Sequence, residues 1–360
     1  MGWRGARHRG GAHVPHPRLG PGDSGGQAEC YHGEAAPARA SLIRKEFPLA
    51  KGLDIPLLPL ARRRIFGVKT VSSGAVNRTI PQDEFVSVCR RYQQEAQAHC
   101  HSMPEVVKGL WRCEGFATTF GKFRLPENTL NDERLPRECY GITHVGYGAA
   151  STEHARFDAA RLHEIASRYS APHSEGFVYE GMGSILRIYE PGVFKFMCGV
   201  LGLIPLGAPP GPDKTGFFAQ WFADFNPEQQ RLITHGYGRL VAFSNISVYK
   251  AIEEAMTLPP ERVYPCVQGI AFAFAMMNHE EMPRLLENSA VPYPGEIRPA
   301  FQTGLVYGLV FCDWFAPGFL SHFRPDGPLG EKLTALARDE AARNLQRGHL
   351  LPFALENSVQ

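Results

Sequence analysis

The chain has 360 residues, of which 44% are hydrophobic and 11% aromatic. That is enough apolar material to bury one large core or two ordinary ones, and it excludes disorder throughout. The formal charge of +2 is unevenly placed, because residues 1–64 hold 11 Lys/Arg against 5 Asp/Glu and leave 27 against 31 for the remainder. An acidic body lacks the basic surface that nucleic-acid phosphates require, so no nucleic-acid partner is expected.

In chain order, residues 1–60 are rich in Gly, Arg, His and Pro and contain no apolar run of the secretory kind. They read as a disordered basic head. A folded domain is placed at 61–350, beginning near the run Arg62-Arg63-Arg64-Ile65-Phe66-Gly67. Residues 81–101 open with a proline and set Phe85, Val88, Cys89, Tyr92 and Ala96 on one face, which predicts a helix. Residues 156–169 place Phe157, Ala160, Leu162, Ile165 and Ala166 mostly on one side, predicting a second amphipathic helix. Further helical segments are expected at 217–225, 227–256, 260–278, 295–315 and 328–347, several of them opening near Pro and stopping at Pro, Asn or Gly. No run of alternating strands is present. The expected fold is all-α.

Eight cysteines, at 30, 89, 100, 113, 139, 198, 266 and 312, contain no CxxC pair and no zinc-finger spacing. They read as reduced, buried, small hydrophobes of a cytoplasmic protein. The apolar stretches at 193–207, 266–277 and 301–320 are interrupted by Lys195 and Pro205, too short, or broken by Gln302, Asp313 and Pro317. None makes a good membrane span, which needs about 20 apolar residues. Peripheral contact with a membrane stays open for the third, which is long and aromatic.

Six glycine-centred blocks organise the chain, around Gly115, Gly146, Gly181, Gly236, Gly269 and Gly304. Successive glycines are 31, 35, 55, 33 and 35 residues apart, with the Pro/Gly-rich stretch 201–216 inside the long interval. Most of these intervals fit one helical hairpin, so the expected architecture is a set of repeated hairpins, solenoid or toroid-like. The block Thr143-His144-Val145-Gly146-Tyr147-Gly148 is echoed by Thr234-His235-Gly236-Tyr237-Gly238, which suggests duplication of a larger unit. A glycine inside a helix costs about 1 kcal/mol relative to alanine, so the blocks need a reason. Close helix approach is the simplest.

Polar residues stand at or just before these glycines. Glu114, His144, Glu180 and His235 are the candidate acid/base residues, since an imidazole beside a carboxylate suits proton transfer. Tyr147, Tyr237, Arg239, Gln268 and Gln302, in or near the same blocks, are candidates to contact a bound molecule. The competing reading makes the polar residues caps or satisfied core groups. Pairing the two Gly-Tyr-Gly runs matches Val145 with His235, so the imidazoles of His144 and His235 would point about 100° apart. No metal ligands are assigned, because the spacings are those of a repeat, and no cofactor is identified. His279-Glu280-Glu281 lacks the second histidine of a zinc-protease helix. The chain also lacks a third glycine after Gly146-Tyr147-Gly148, a phosphate-binding GxxxxGK[ST] loop and a G-x-S-x-G elbow.

The ordered blocks Arg62–Gly67, Glu114–Ala117, His144–Gly148, Gly176–Gly181, Gly236–Arg239 and Gln268–Ala271 make the chain resemble accessory proteins encoded beside enediyne polyketide synthases. Tryptophans that the resemblance would place after the Gly236 and Gln268 blocks are absent, with Val241-Ala242 and Phe272-Ala273-Phe274 in those neighbourhoods. The resemblance implies a role in making or handling a specialised metabolite, with a polyketide synthase or a hydrophobic metabolite as partner. It supplies no reaction. A non-catalytic helical-repeat scaffold for a protein partner is the alternative.

Overall fold

Local signals set where the helices start. Asn226 caps the helix that follows it: its side chain accepts from the backbone N–H of Gln229, whose own side chain accepts from the Asn226 N–H, with Pro227 in the first turn. Asp158 likewise accepts from the N–H of Arg161 at 3.0 Å. A computed structural model describes residues 79–122, 129–188, 221–245, 247–290 and 297–352. The helices are α1 (Gln82–Ala98), α2 (Met103–Lys122), α3 (Tyr140–His154), α4 (Ala159–Tyr169), α5 (Glu175–Ile188) and α6 (Pro227–Ser244), followed by α7 (Val248–Ala255), α8 (Pro260–Met277), α9 (Met282–Glu287), α10 (Arg298–Phe315), α11 (Phe319–His322) and α12 (Gly327–Arg347). Among the described residues there is no strand, and no helix is long and apolar enough to cross a membrane. The expected head at 1–60, the block at 62–67 and the stretch at 201–216 lie outside the described residues.

Two expected boundaries are corrected. The segment 227–256 is not continuous: α6 stops at Ser244 and α7 starts at Val248. Asn245 takes an extended backbone and its side-chain amide donates to the Val241 carbonyl at 2.9 Å and to Glu254 Oε2 at 2.8 Å, which ends the helical ladder. The helix expected from 156 starts instead at Ala159, because Arg156 and Phe157 are left-handed, with φ of 53° and 62°.

Each glycine block lies within a helix, and consecutive block-bearing helices are neighbours. Helix α2 packs on α3, α3 on α5, α5 on α6, α6 on α8 and α8 on α10, and α10 also touches α2. At these five interfaces one rule recurs. A Cβ on Gly146, Gly181, Gly236, Gly269 or Gly304 would collide with the carbonyl oxygen of Glu114, Val145, Glu180, His235 or Gln268, respectively. Each of those carbonyls belongs to the residue just before the preceding helix's own glycine. The second glycines work the other way: Gly148, Gly183 and Gly238 lie against the carbonyls of Val178, Ile233 and Cys266, three residues before the next helix's glycine. Only a residue without a side chain permits backbones this close, which outweighs the helix-propensity cost.

Helices α8 and α10 run in the same direction, since Gly304 lies beside Gln268 and Ala271 while Gly308, one turn on, lies beside Phe272 and Ala275. The pair α2 and α3 does the same, with Gly146 beside Glu114 and Thr118, and Gly121 beside Ala150. Short α4, α7 and α9 return the chain between long helices. On every block-bearing helix, the residue before the glycine and the third residue after it are one turn apart and share a face.

A buried ion-pair cluster as candidate functional site

The face that holds the residue before each glycine is where charge gathers. Glu114 on α2, Glu180 on α5 and His235 on α6 all occupy that position, and Arg239 lies one turn beyond His235. The Arg239 guanidinium donates to Glu180 Oε1 at 3.0 Å and to both carboxylate oxygens of Glu114 at 3.1 Å. His235 Nδ1 lies 3.3 Å from Glu180 Oε1. Aromatic rings close the other side: Phe272 on α8 and Tyr307 on α10 have ring centroids 5.7 and 6.1 Å from that of His235, and Arg239 Cζ stacks 5.0 Å from the Phe272 centroid. Phe272 and Tyr307 stand three residues after Gly269 and Gly304, the register that Arg239 holds after Gly236.

Burial is graded across this cluster. The side chains of Glu180 and His235 are 0% exposed and that of Arg239 is 5% exposed, whereas Glu114 keeps 25%. Glu114 is therefore the member that solvent reaches. Burial pushes its carboxyl above the ordinary range, against the lowering effect of Arg239 and with a further upward push from the Glu180 charge. Burial pushes the Glu180 carboxyl up as well, but His235 and Arg239 outweigh it and leave the group below its ordinary 4.5. His235 is held below its usual value because burial exceeds the pull of Glu180.

One arginine facing two carboxylates leaves the cluster one charge short of neutrality, so a further proton is favoured somewhere within it. His235 resists that proton and Glu114 favours it. The arrangement is an acid with a solvent path, a carboxylate beside it, and a guanidinium that stabilises either carboxylate when it is ionised. No family model, curated protein or solved structure matches this chain.

Of the other expected site residues, His144, Tyr147, Tyr237 and Gln302 are placed elsewhere, and Gln268 holds the cluster's register position on α8. His144 is fully buried, with Nδ1–H donating to the Tyr140 carbonyl at 2.6 Å and Nε2 accepting from the Ala171 N–H at 2.9 Å. That pattern fixes the neutral tautomer, and burial lowers its pKa to about 3. It staples α3 to the segment before α5. Tyr147 is buried with its ring 6.3 Å from that of Phe120. Tyr237 accepts from Arg187 at 3.4 Å, in a separate group with Ser244 and Glu254. Gln302 donates to Ser289 Oγ at 3.3 Å. Gln268 is 1% exposed.

Register explains this sorting. Glu114, Glu180, His235 and Gln268 sit one residue before their glycines, whereas His144 and Gln302 sit two before, about 100° round the helix. Val145 and Thr303 hold the equivalent positions on α3 and α10. Phe272 and Tyr307 were not singled out in the sequence, although the same register, counted forward from the glycine, reaches both. Cys89, Cys113 and Cys139 also converge without a CxxC signal: the Cys113 and Cys139 thiols both point at the Cys89 carbonyl, at 3.8 and 3.7 Å. Burial pushes all three thiols up, so they stay protonated and unreactive. Among the described residues no group of three or more His, Cys, Asp or Glu could hold a metal ion.

Proposed function

We propose that this chain is an accessory protein of bacterial specialised-metabolite biosynthesis, of the enediyne or polyketide type, that binds a hydrophobic intermediate and exchanges a proton with it. In this reading the six block-bearing helices are diverged copies of one unit, arranged toroid-like, and the metabolite's reacting carbon or oxygen approaches Glu114. The Glu114 carboxyl gives up its proton, the carboxylate that remains is held by Arg239 Nη2, which donates to both of its oxygens, and solvent restores the proton through the exposed edge. Glu180 keeps Arg239 charged and in place, and His235 orients Glu180. The proposed setting is cytoplasmic, with a polyketide synthase as the source of the intermediate.

The observation that carries this reading is the convergence of Glu114 and Glu180 on Arg239, with His235 against Glu180. A scaffold that worked only through its outer surface has no need for three ionisable residues at equivalent register positions to meet in the interior. Purely structural pairing would also be better served by apolar residues, since a buried ion pair gains little over a hydrophobic replacement.

The test is metabolite yield in a producing strain whose chromosomal copy carries Glu114→Gln, which keeps shape and removes the acid. A positioned general acid contributes about 100-fold or more, so yield should fall by at least tenfold at unchanged protein level. Wild-type yield from Glu114→Gln would refute the proton-transfer role.

A further inference from the structure

The position just before each glycine draws one residue from each of six helices: Glu114, Val145, Glu180, His235, Gln268 and Thr303. Backbone packing is the same at each step, because the carbonyl of this residue meets the next helix's glycine at all five interfaces. Equivalent packing gives equivalent side-chain directions, and the members whose contacts define their surroundings meet in one cluster, Glu114 and Glu180 on Arg239 and His235 on Glu180. Gln268 and Thr303 follow His235 in this order.

Unlike Glu114, these two residues have no use for their polar atoms within the protein. Gln268 is 1% exposed and Thr303 2%, and neither the amide oxygen and nitrogen of Gln268 nor Thr303 Oγ1 has a hydrogen-bond partner. Glu180 Oε2, in the same set of positions, has none either. An unpaired buried polar group is destabilising, and the great majority of such groups in folded proteins find a hydrogen-bond partner. Several orphans at one register position, beside an acid/base cluster and the rings of Phe272 and Tyr307, are best explained by a partner that arrives with a ligand.

We infer that Gln268 and Thr303 form a recognition subsite for a hydroxyl group carried on an otherwise apolar, unsaturated ligand. A hydroxyl both donates and accepts, so it matches the amide oxygen and nitrogen of Gln268 together, with Thr303 Oγ1 as a further partner. The flanking aromatic rings suit a conjugated chain. This inference rests on the proposed binding of a hydrophobic metabolite and specifies what that metabolite presents to α8 and α10.

The experiment compares retinol with axerophthene, the hydrocarbon in which its hydroxyl is replaced by hydrogen, by quenching of tryptophan fluorescence in the full-length protein. Wild type should prefer retinol by about tenfold, the ratio that one buried hydrogen bond of about 1.4 kcal/mol gives. Gln268→Leu should bring that preference below about threefold without weakening axerophthene binding, and it should not lower the melting temperature, since an unpaired amide is lost. Thr303→Val, nearly isosteric, is the second variant and should reduce the preference in the same direction. Equal binding of both probes by wild type, or an undiminished preference in both variants, would overturn the subsite and leave metabolite binding standing. Binding of neither probe would overturn both readings.

Discussion

Replacing Gly236 by alanine tests the glycine rule where it bears most directly on the site. The added Cβ would collide with the carbonyl oxygen of Glu180, the residue whose carboxylate holds Arg239 and His235. The obstacle is helix backbone, so α5 and α6 must separate along their shared interface. Overpacking of this kind costs about 1–3 kcal/mol and sometimes more, while alanine recovers about 1 kcal/mol of helix propensity. Backbone yields less than a side chain, so a net loss of about 2 kcal/mol is expected, or roughly 4–8 °C in Tm. The internal control is Gly308→Ala on α10, where the new methyl meets the Ala275 methyl at 2.8 Å and the flexible end of Met276 at 3.5 Å. The Ala275 methyl must still shift, but no backbone atom lies closer than 3.9 Å, so the loss should be smaller than that of Gly236→Ala. Urea and thermal unfolding followed by far-ultraviolet circular dichroism measure both variants. If Gly236→Ala were as stable as the wild type, or no worse than Gly308→Ala, close backbone approach would not be the reason for the block glycines.

Two further perturbations probe the ion-pair cluster and the buried imidazole. Arg239→Met removes the guanidinium that pairs with both Glu114 and Glu180 and should cost about 3 kcal/mol at neutral pH, the lower end for a broken buried pair because Glu114 is partly exposed. Glu180 has a folded pKa below 4.5, so its stabilising contribution is present above that value and is lost as pH falls through the folded value. Without Arg239 the carboxylates protonate more readily, and urea titrations should show the gap between variant and wild type narrowing towards pH 4.5; a gap independent of pH would contradict the assignment. His144 is neutral when folded, with a pKa of about 3 against 6.5 when free. The unfolded chain therefore binds the extra proton between those values, and stability falls as pH drops from 6.5 to 3. His144→Ala should cost about 1–3 kcal/mol at neutral pH through the stranded Ala171 N–H and should flatten that slope, which acid titration of the two proteins checks.

The sequence by itself determined the helical class and the repeat of glycines, because periodic apolar positions, caps and prolines act within a few residues of where they stand. It also contained the register of the site. Counting from the glycines separates Glu114, Glu180 and His235 from His144, and the structure gives His144 two backbone partners instead of a place in the cluster. Boundaries were less legible: the break at Asn245 depends on a side chain that reaches Glu254, and the late start of α4 depends on the left-handed turn at Arg156 and Phe157. Tertiary structure alone decided what each residue is for. Arg239 links Glu114 and Glu180, which lie 125 and 59 residues before it, and nothing local tells the chain that one guanidinium will serve both. Tyr237, two residues earlier on the same helix, faces Arg187 and belongs to a different group. A helix assigns each side chain a direction, but only the neighbouring helices determine what it meets there.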